Sequence, residues 1–178
     1  MGILKGTLCY LGGNLEYTAD AEGWRDSLTK KLNNLGIKCL DPTKQTLINQ
    51  AAETEEDRKQ LKEWRAAGEF EKIHDFMISV IRRDLRLIDY SSFVIFQLEP
   101  DKPTFGTVHE LSISSVQRKP ILIIIRDRKT MPLWLMGLIN MDFVFESQDE
   151  LIDYLIKIDN GEVELDSKYW KLLTEELR

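Results

Sequence analysis

Cysteine is scarce in this chain: its 178 residues hold two, Cys9 and Cys39. Two thiols cannot staple a small scaffold, so a disulfide framework is excluded and the fold must rest on a hydrophobic core. Both lie in apolar, strand-like surroundings and read as small buried hydrophobes in a reducing compartment. No apolar run approaches the roughly 18 residues of a membrane span, and the N-terminus has no secretory signal pattern. A cytoplasmic protein with no membrane partner is therefore expected. An excess of positive charge is also missing. Against 30 Asp and Glu stand 24 Lys and Arg, a formal net charge of −6. That argues against a nucleic-acid partner, because phosphate contacts need clustered cations. It does not exclude a small phosphorylated ligand held at one local site.

Two motif absences narrow the chemistry further. The histidines are His74, which is isolated, and His109, whose Glu110 neighbour is not followed by a second histidine one turn later. Zinc-ligand spacing is thus missing, and no metal is expected. No serine sits in a Gly-x-Ser-x-Gly elbow, which removes the most recognisable hydrolase nucleophile.

What is present is an alternation of strand and helix patterns. At this length one domain spanning 1–178 is expected, able to bury about two-thirds of its unfolded surface. Leu4 to Gly12 reads as a first strand ending in the turn Gly12-Gly13-Asn14, where glycine lets the backbone approach something closely. Trp24 to Leu35 has helical spacing and stops at Gly36, and Ile37 to Leu40 is a short second strand before Asp41-Pro42. A polar segment at about 43–71 reads as an exposed helical insertion, with Thr54-Glu-Glu-Asp57 as its capping box. Ile73 to Ile88 carries apolar residues at helical intervals, and Ser92 to Leu98 follows as a third strand. Ile121 to Ile125 is a continuous β-branched run, as expected of a central parallel strand covered on both faces. Met141 to Phe145 reads as a fifth strand, Ser147-Gln-Asp-Glu150 caps a helix through Ile156, and Val163 to Leu177 reads as a last amphipathic helix. Five strands alternating with helices predict an α/β fold. It is a doubly wound, five-stranded parallel sheet of flavodoxin- or Rossmann-like order 2-1-3-4-5, with helices on both faces.

Open sheets of this kind bind ligands at the carboxyl ends of their strands, where helix N-termini also point. Three segments are expected there: Tyr10-Leu-Gly12-Gly13-Asn14, Thr104-Phe-Gly106-Thr107-Val-His-Glu110, and Arg126-Asp-Arg128. Glu110 is the residue around which chemistry is expected. A carboxylate near a helix N-terminus is favoured in its ionised form, by ~0.3–1 kcal/mol, which suits a nucleophile. A second carboxyl could handle proton transfer, as in retaining glycosyl transfer. Thr104, Gly106 and Thr107 offer hydroxyls and N–H groups to a phosphate or sugar. The bland readings stand beside these. Thr107-Val-His-Glu110 is also a capping box, and Asp84 in Arg82-Arg-Asp-Leu-Arg86 reads as a solvated ion-pairing residue. Gly12-Gly13 reads as a simple turn, Arg126 as part of a charged loop, and Trp134-Leu-Met136 ordinarily as core, or instead as a nucleobase wall or a subunit contact.

Together the segments resemble the nucleoside 2-deoxyribosyltransferase family. The resemblance runs through Tyr10-Leu-Gly-Gly-Asn14, Trp24-Arg25, Gly36-Ile37 and Leu40-Asp41-Pro42. It continues in Arg83-Asp84-Leu85, Asp89-Tyr-Ser-Ser and Gly106-Thr107-Val-His-Glu110-Leu111. It covers about residues 5 to 156 and leaves the 43–71 insertion and the tail outside. It implies that Glu110 attacks the anomeric carbon, that Asp84 assists proton movement at the departing base, and that Tyr10 orients the nucleophile. Gly12, Gly13 and Asn14 would line the pocket.

The pattern departs from the family before the nucleophile, where an aspartate often binds sugar hydroxyls and the nearest positions are Asp101 and Thr104. Thr104-Phe-Gly106 looks more like the Ser-x-Gly of the related 2'-deoxynucleoside 5'-monophosphate N-hydrolases, and Arg126 would suit a phosphate too. The resemblance also implies a homo-oligomer, with Asn140 or Asp142 serving a neighbouring site. The expectation is an enzyme acting on the N-glycosidic bond of a deoxynucleoside or its 5'-monophosphate, with no organic cofactor. The rivals are a non-catalytic nucleotide-binding or sensing module, and a scaffold whose Glu110 caps a helix.

Overall fold

The computed structural model describes residues 2–14, 23–44, 54–101, 104–165, 169 and 170. Strand β1 (Leu8–Gly13) is followed by α1 (Gly23–Asn34), β2 (Lys38–Leu40), α2 (Glu55–Ala67), α3 (Phe70–Tyr90) and β3 (Phe93–Leu98). Then come α4 (Phe105–Val116), β4 (Ile121–Ile125), α5 (Leu133–Leu138), β5 (Val144–Phe145) and α6 (Gln148–Asp159). The five strands pair in parallel in the order β2-β1-β3-β4-β5. Among the described residues no helix is long and apolar enough to cross a membrane.

Successive strand residues point to opposite faces, so the sheet builds two cores. On one face Cys9, Leu11, Phe93, Ile95, Leu122 and Ile124 meet Leu28 and Leu32 of α1 and Leu151, Leu155 and Ile158 of α6. On the other, Tyr10, Val94, Phe96, Ile121, Ile123 and Ile125 meet Leu87 and Ile88 of α3, Leu111 of α4 and Leu135 of α5. The chain therefore leaves β1 towards one face and β3 towards the other. Since β1 and β3 are neighbours, their carboxyl ends flank the topological switch point, where a crevice must open.

Several boundaries differ from expectation. The first strand begins at Leu8 rather than Leu4. Residues 3–6 form a turn, closed by Thr7 Oγ1 donating to the Leu4 carbonyl at 2.7 Å and by Gly6 at φ +87°. Gly12 and Gly13 are not a turn. They lie within β1, in register with Phe96 and Gln97. The described part of the insertion from Thr54 is helical, opened by the Thr54–Asp57 capping box, but ends at left-handed Gly68, and α3 starts at Phe70; residues 45–53 lie outside the described residues. Of the expected fifth strand, Met141–Phe143 is a 3-10 turn and only Val144–Phe145 pairs with β4. Asn140 explains the difference: its side chain accepts from the Asp142 N–H at 3.0 Å and winds the turn.

At the C-terminus, 163–165 and 169–170 are not helical; the remainder of the expected 163–177 helix lies outside the described residues. Trp170 packs beside Phe93 and Phe143, and its indole donates to the Tyr154 hydroxyl at 3.3 Å.

Candidate active site

Helix α4 carries the decisive local feature. Thr104 is its N-cap, with extended backbone, and its hydroxyl accepts from the Thr107 N–H at 3.4 Å and meets the Thr107 hydroxyl at 2.8 Å. The capping-box reading of Thr107 and Glu110 is thereby overturned. With the cap at Thr104, Thr107 is the third helical residue and Glu110 stands in the second turn, beyond reach of the helix's own leading N–H groups. Glu110 is half-buried.

Tyr10 projects from β1 onto the same face and is fully buried, its ring set edge-on to Phe96 at 6.1 Å between centroids. Its phenol is pushed well above the ordinary tyrosine range, first by burial, then by the charges of Glu110 and Asp84. Glu110 also acts on it as a hydrogen-bond acceptor, in an approach short of a fully formed hydrogen bond. Tyr10 is thus held as a neutral O–H donor beside carboxylates. Asp84, on α3, is buried rather than solvated, and it does pair: Arg83 Nε and Nη2 stand 2.9 and 2.8 Å from its Oδ1. The three residues expected to carry the chemistry are brought into one electrostatic neighbourhood around Tyr10.

Arg25 and Asp41 complete this neighbourhood, although motif reading gave neither a role. Arg25 is wholly buried on α1, donating from Nη2 to the Gly13 carbonyl at 3.1 Å and from Nε to the Leu11 carbonyl at 3.4 Å. Its guanidinium lies 4.4 Å from the Trp24 ring centroid and its Nε 3.7 Å from Asp41 Oδ1. Burial lowers its pKa, while Asp41, Tyr10 and Glu110 work the other way. The available signal was the pairing of a helical Trp-Arg with Asp-Pro after the next strand. Spacing alone did not say that both charges go inside.

The glycines serve packing. A Cβ on Gly12 would run into the Phe96 ring, and one on Gly13 would meet the Gln97 carbonyl at 2.7 Å. The close approach they permit is by their own protein. Asn14 is buried at the end of β1. Gly106 differs: a Cβ there would meet nothing among the described residues, so with respect to them the first turn of α4 is open. Arg126 follows β4 and is exposed, while Asn140 is engaged in its own turn. Neither is part of the Tyr10, Asp84 and Glu110 cluster. Trp134 is not core but 88% exposed, and only Leu135 of that stretch is buried.

Comparison with known proteins gives a consistent picture. No curated protein matches the sequence. Among solved structures, the chain resembles a 2-deoxyribosyltransferase from the psychrotolerant bacterium Bacillus psychrosaccharolyticus. The TM-score is 0.57 at 17% identity, over 83% of this chain and 91% of that one. It also resembles a conserved protein from Enterococcus faecalis V583, with a TM-score of 0.50 at 13% identity, over 85% and 98% of the two chains. At such identities these likenesses establish the fold. The sequence itself matches the nucleoside 2-deoxyribosyltransferase family across residues 9–155, from the strand bearing Tyr10 to the helix that closes the sheet. The chain belongs to the nucleoside 2-deoxyribosyltransferase family, whose members are enzymes acting on nucleosides.

Proposed function

We propose that this protein transfers or cleaves the N-glycosidic bond of 2'-deoxynucleosides through a covalent intermediate on Glu110. One observation supports the reading: half-buried Glu110, on a helix capped by Thr104, acts electrostatically on buried Tyr10 together with buried Asp84. A Glu110 oxygen attacks C1' as the C1'–N bond breaks. The base departs with that electron pair and is protonated, Asp84 assisting the transfer while Arg83 fixes its carboxylate. Attack on C1' by a second base, or by water, then returns Glu110 as a carboxylate with configuration retained. The neutral Tyr10 hydroxyl orients the attacking oxygen.

Hydrolysis of deoxynucleoside 5'-monophosphates is a second reading favoured by one feature, the open turn at Gly106 next to the Thr104 cap. Backbone N–H groups at such a terminus suit a phosphate, and Arg126 would approach from the neighbouring strand end.

The test is intact mass after brief exposure to deoxyinosine, with or without adenine, and to deoxynucleoside monophosphates. A deoxyribosyl adduct that is absent in Glu110→Ala is expected, together with free base. Base release at full rate by Glu110→Ala would reject the nucleophile. Ligand binding with no release in either protein would leave a binding module.

A further inference from the structure

Strand β2 ends at Leu40, opposite Tyr10, while β1 runs on to Gly13. The Lys38 N–H donates to the Thr7 carbonyl at 2.9 Å, and a parallel ladder repeats such a bond at every second residue. The next rungs fall on Leu40 and then on residue 42, which would face the Leu11 carbonyl. Residue 42 is proline and has no N–H to give. Arg25 reaches over from α1 into the vacant place. Its Nε donates to the Leu11 carbonyl at 3.4 Å and its Nη2 to the Gly13 carbonyl at 3.1 Å.

A guanidinium seated in this way is a fixed charge. It is wholly buried, lies 4.4 Å from the Trp24 ring centroid, and has Asp41 Oδ1 at 3.7 Å from Nε. Asp41 is held in turn by the Thr43 N–H and hydroxyl, so neither partner is free to swing. Both accepting carbonyls follow Tyr10 along β1, which sets the cation at the carboxyl end of that strand. There it acts on the Tyr10 phenol and on Glu110 of α4. The other charged groups facing this cluster are Asp84 with its Arg83 on α3, and Arg58 on α2, a like charge to Arg25.

Glu110 is half-buried and shares Tyr10 with a second carboxylate, Asp84. Burial and a neighbouring like charge both disfavour an ionised carboxyl group, yet a carboxyl nucleophile must be ionised to attack. A cation that cannot move away offsets both costs.

We infer that Arg25 is a positioning residue of the catalytic edge: seated where Pro42 breaks the ladder, its fixed charge holds Glu110 in the ionised form that attack on C1' requires. Its use in catalysis rests on the proposed nucleophile, but its effect on Glu110 is measurable without substrate. Carbon-13 NMR of protein labelled at glutamate carboxyl groups follows the ionisation directly, with the Glu110 resonance assigned by its loss in Glu110→Gln. Arg25→Gln is expected to raise the titration midpoint of Glu110 by about one pH unit or more. Arg25→Lys keeps the charge, and its midpoint is expected nearer to wild type. Asp41→Asn removes the counter-charge and is expected to move the midpoint downward. A merely structural role would not give opposite signs for the two partners of one ion pair. Circular dichroism checks each fold, and should Arg25→Gln fail to fold, the sign in Asp41→Asn decides. The acid limb of kcat/KM is expected to follow the midpoints. Midpoints indifferent to both substitutions, or moved the same way by both, would overturn the role of Arg25. Base release at full rate by Glu110→Ala would instead reject the nucleophile, with the midpoints unaffected.

Discussion

Arg25 Nε stands 3.7 Å from Asp41 Oδ1, with the two side chains 0% and 4% exposed, and this pair ties helix α1 and the end of β2 to the rim of the candidate site. Asp41 also accepts from the Thr43 N–H at 2.9 Å and its hydroxyl at 2.7 Å, so its direction is fixed. Removing one member of a buried pair strands the other. Asp41→Ala is expected to destabilise by about 3 kcal/mol or more, since the Arg25 guanidinium keeps its carbonyls but loses its counter-charge. Urea denaturation measures this; a loss comparable to that of a surface ion pair would contradict it.

The second prediction concerns Gly12. Alanine there puts a methyl into the Phe96 ring and is expected to lower stability by about 1–3 kcal/mol. Phe96→Leu removes the obstructing ring edge. The double variant should then lose less than the sum of the two single changes. Strict additivity in chemical denaturation would show that Gly12 is needed for something other than Phe96.

Thr104 caps the helix that carries Glu110. Thr104→Ala is expected to cost about 1 kcal/mol, with Thr104→Ser close to wild type because it keeps the oxygen. In the catalytic reading the alanine variant also misplaces Glu110 and lowers turnover more than binding. An alanine variant of wild-type stability would remove the cap from the account.

A fourth prediction follows from groups whose pKa is raised by folding. Burial holds the thiol of Cys9 well above 9.0 and brings that of Cys39 up to about 11, and Tyr10 is pushed well above 10.0. Above pH 9 the unfolded chain releases protons that the native chain retains, so the unfolded state binds fewer and stability falls as pH rises. For Cys39 the loss runs from pH 9 to about pH 11, at up to roughly 1.4 kcal/mol per unit. Stability that is flat across this window, or a Cys39→Ala variant with an unchanged slope, would be inconsistent with buried thiols.

Much of this architecture was legible in the chain. Val94 to Phe96 and Ile121 to Ile125 are continuous apolar runs, which is what a strand covered on both faces requires, and such strands imply parallel pairing. The site was partly legible. Tyr10 and Glu110 stood in segments expected at the carboxyl edge, whereas Asp84, on the helix before β3, read by spacing as a solvated ion-pairing residue and entered the site only through the family resemblance. Arg25 was harder to assign, because a charged residue on a helix ordinarily faces water, and what makes its burial tolerable, Asp41 and the Leu11 and Gly13 carbonyls among them, comes from other segments. Trp134 ran in the opposite direction: its stretch read ordinarily as core, with an exposed wall or contact as the alternative, and the short α5 buries Leu135 while leaving Trp134 88% exposed.

The order of apolar runs and breakers settled by itself that the chain builds a five-stranded parallel sheet with helices on both faces, because strand periodicity and crossover handedness leave few alternatives. Tertiary structure alone decided which residues the glycines accommodate, which threonine caps α4, and whether Glu110 is consumed by its own helix. Those outcomes depend on a register between β1 and β3 and on a one-turn offset at a helix start. The register is set by contacts between residues distant along the chain, and the helix start by which of two nearby threonines, Thr104 or Thr107, the folded backbone leaves extended.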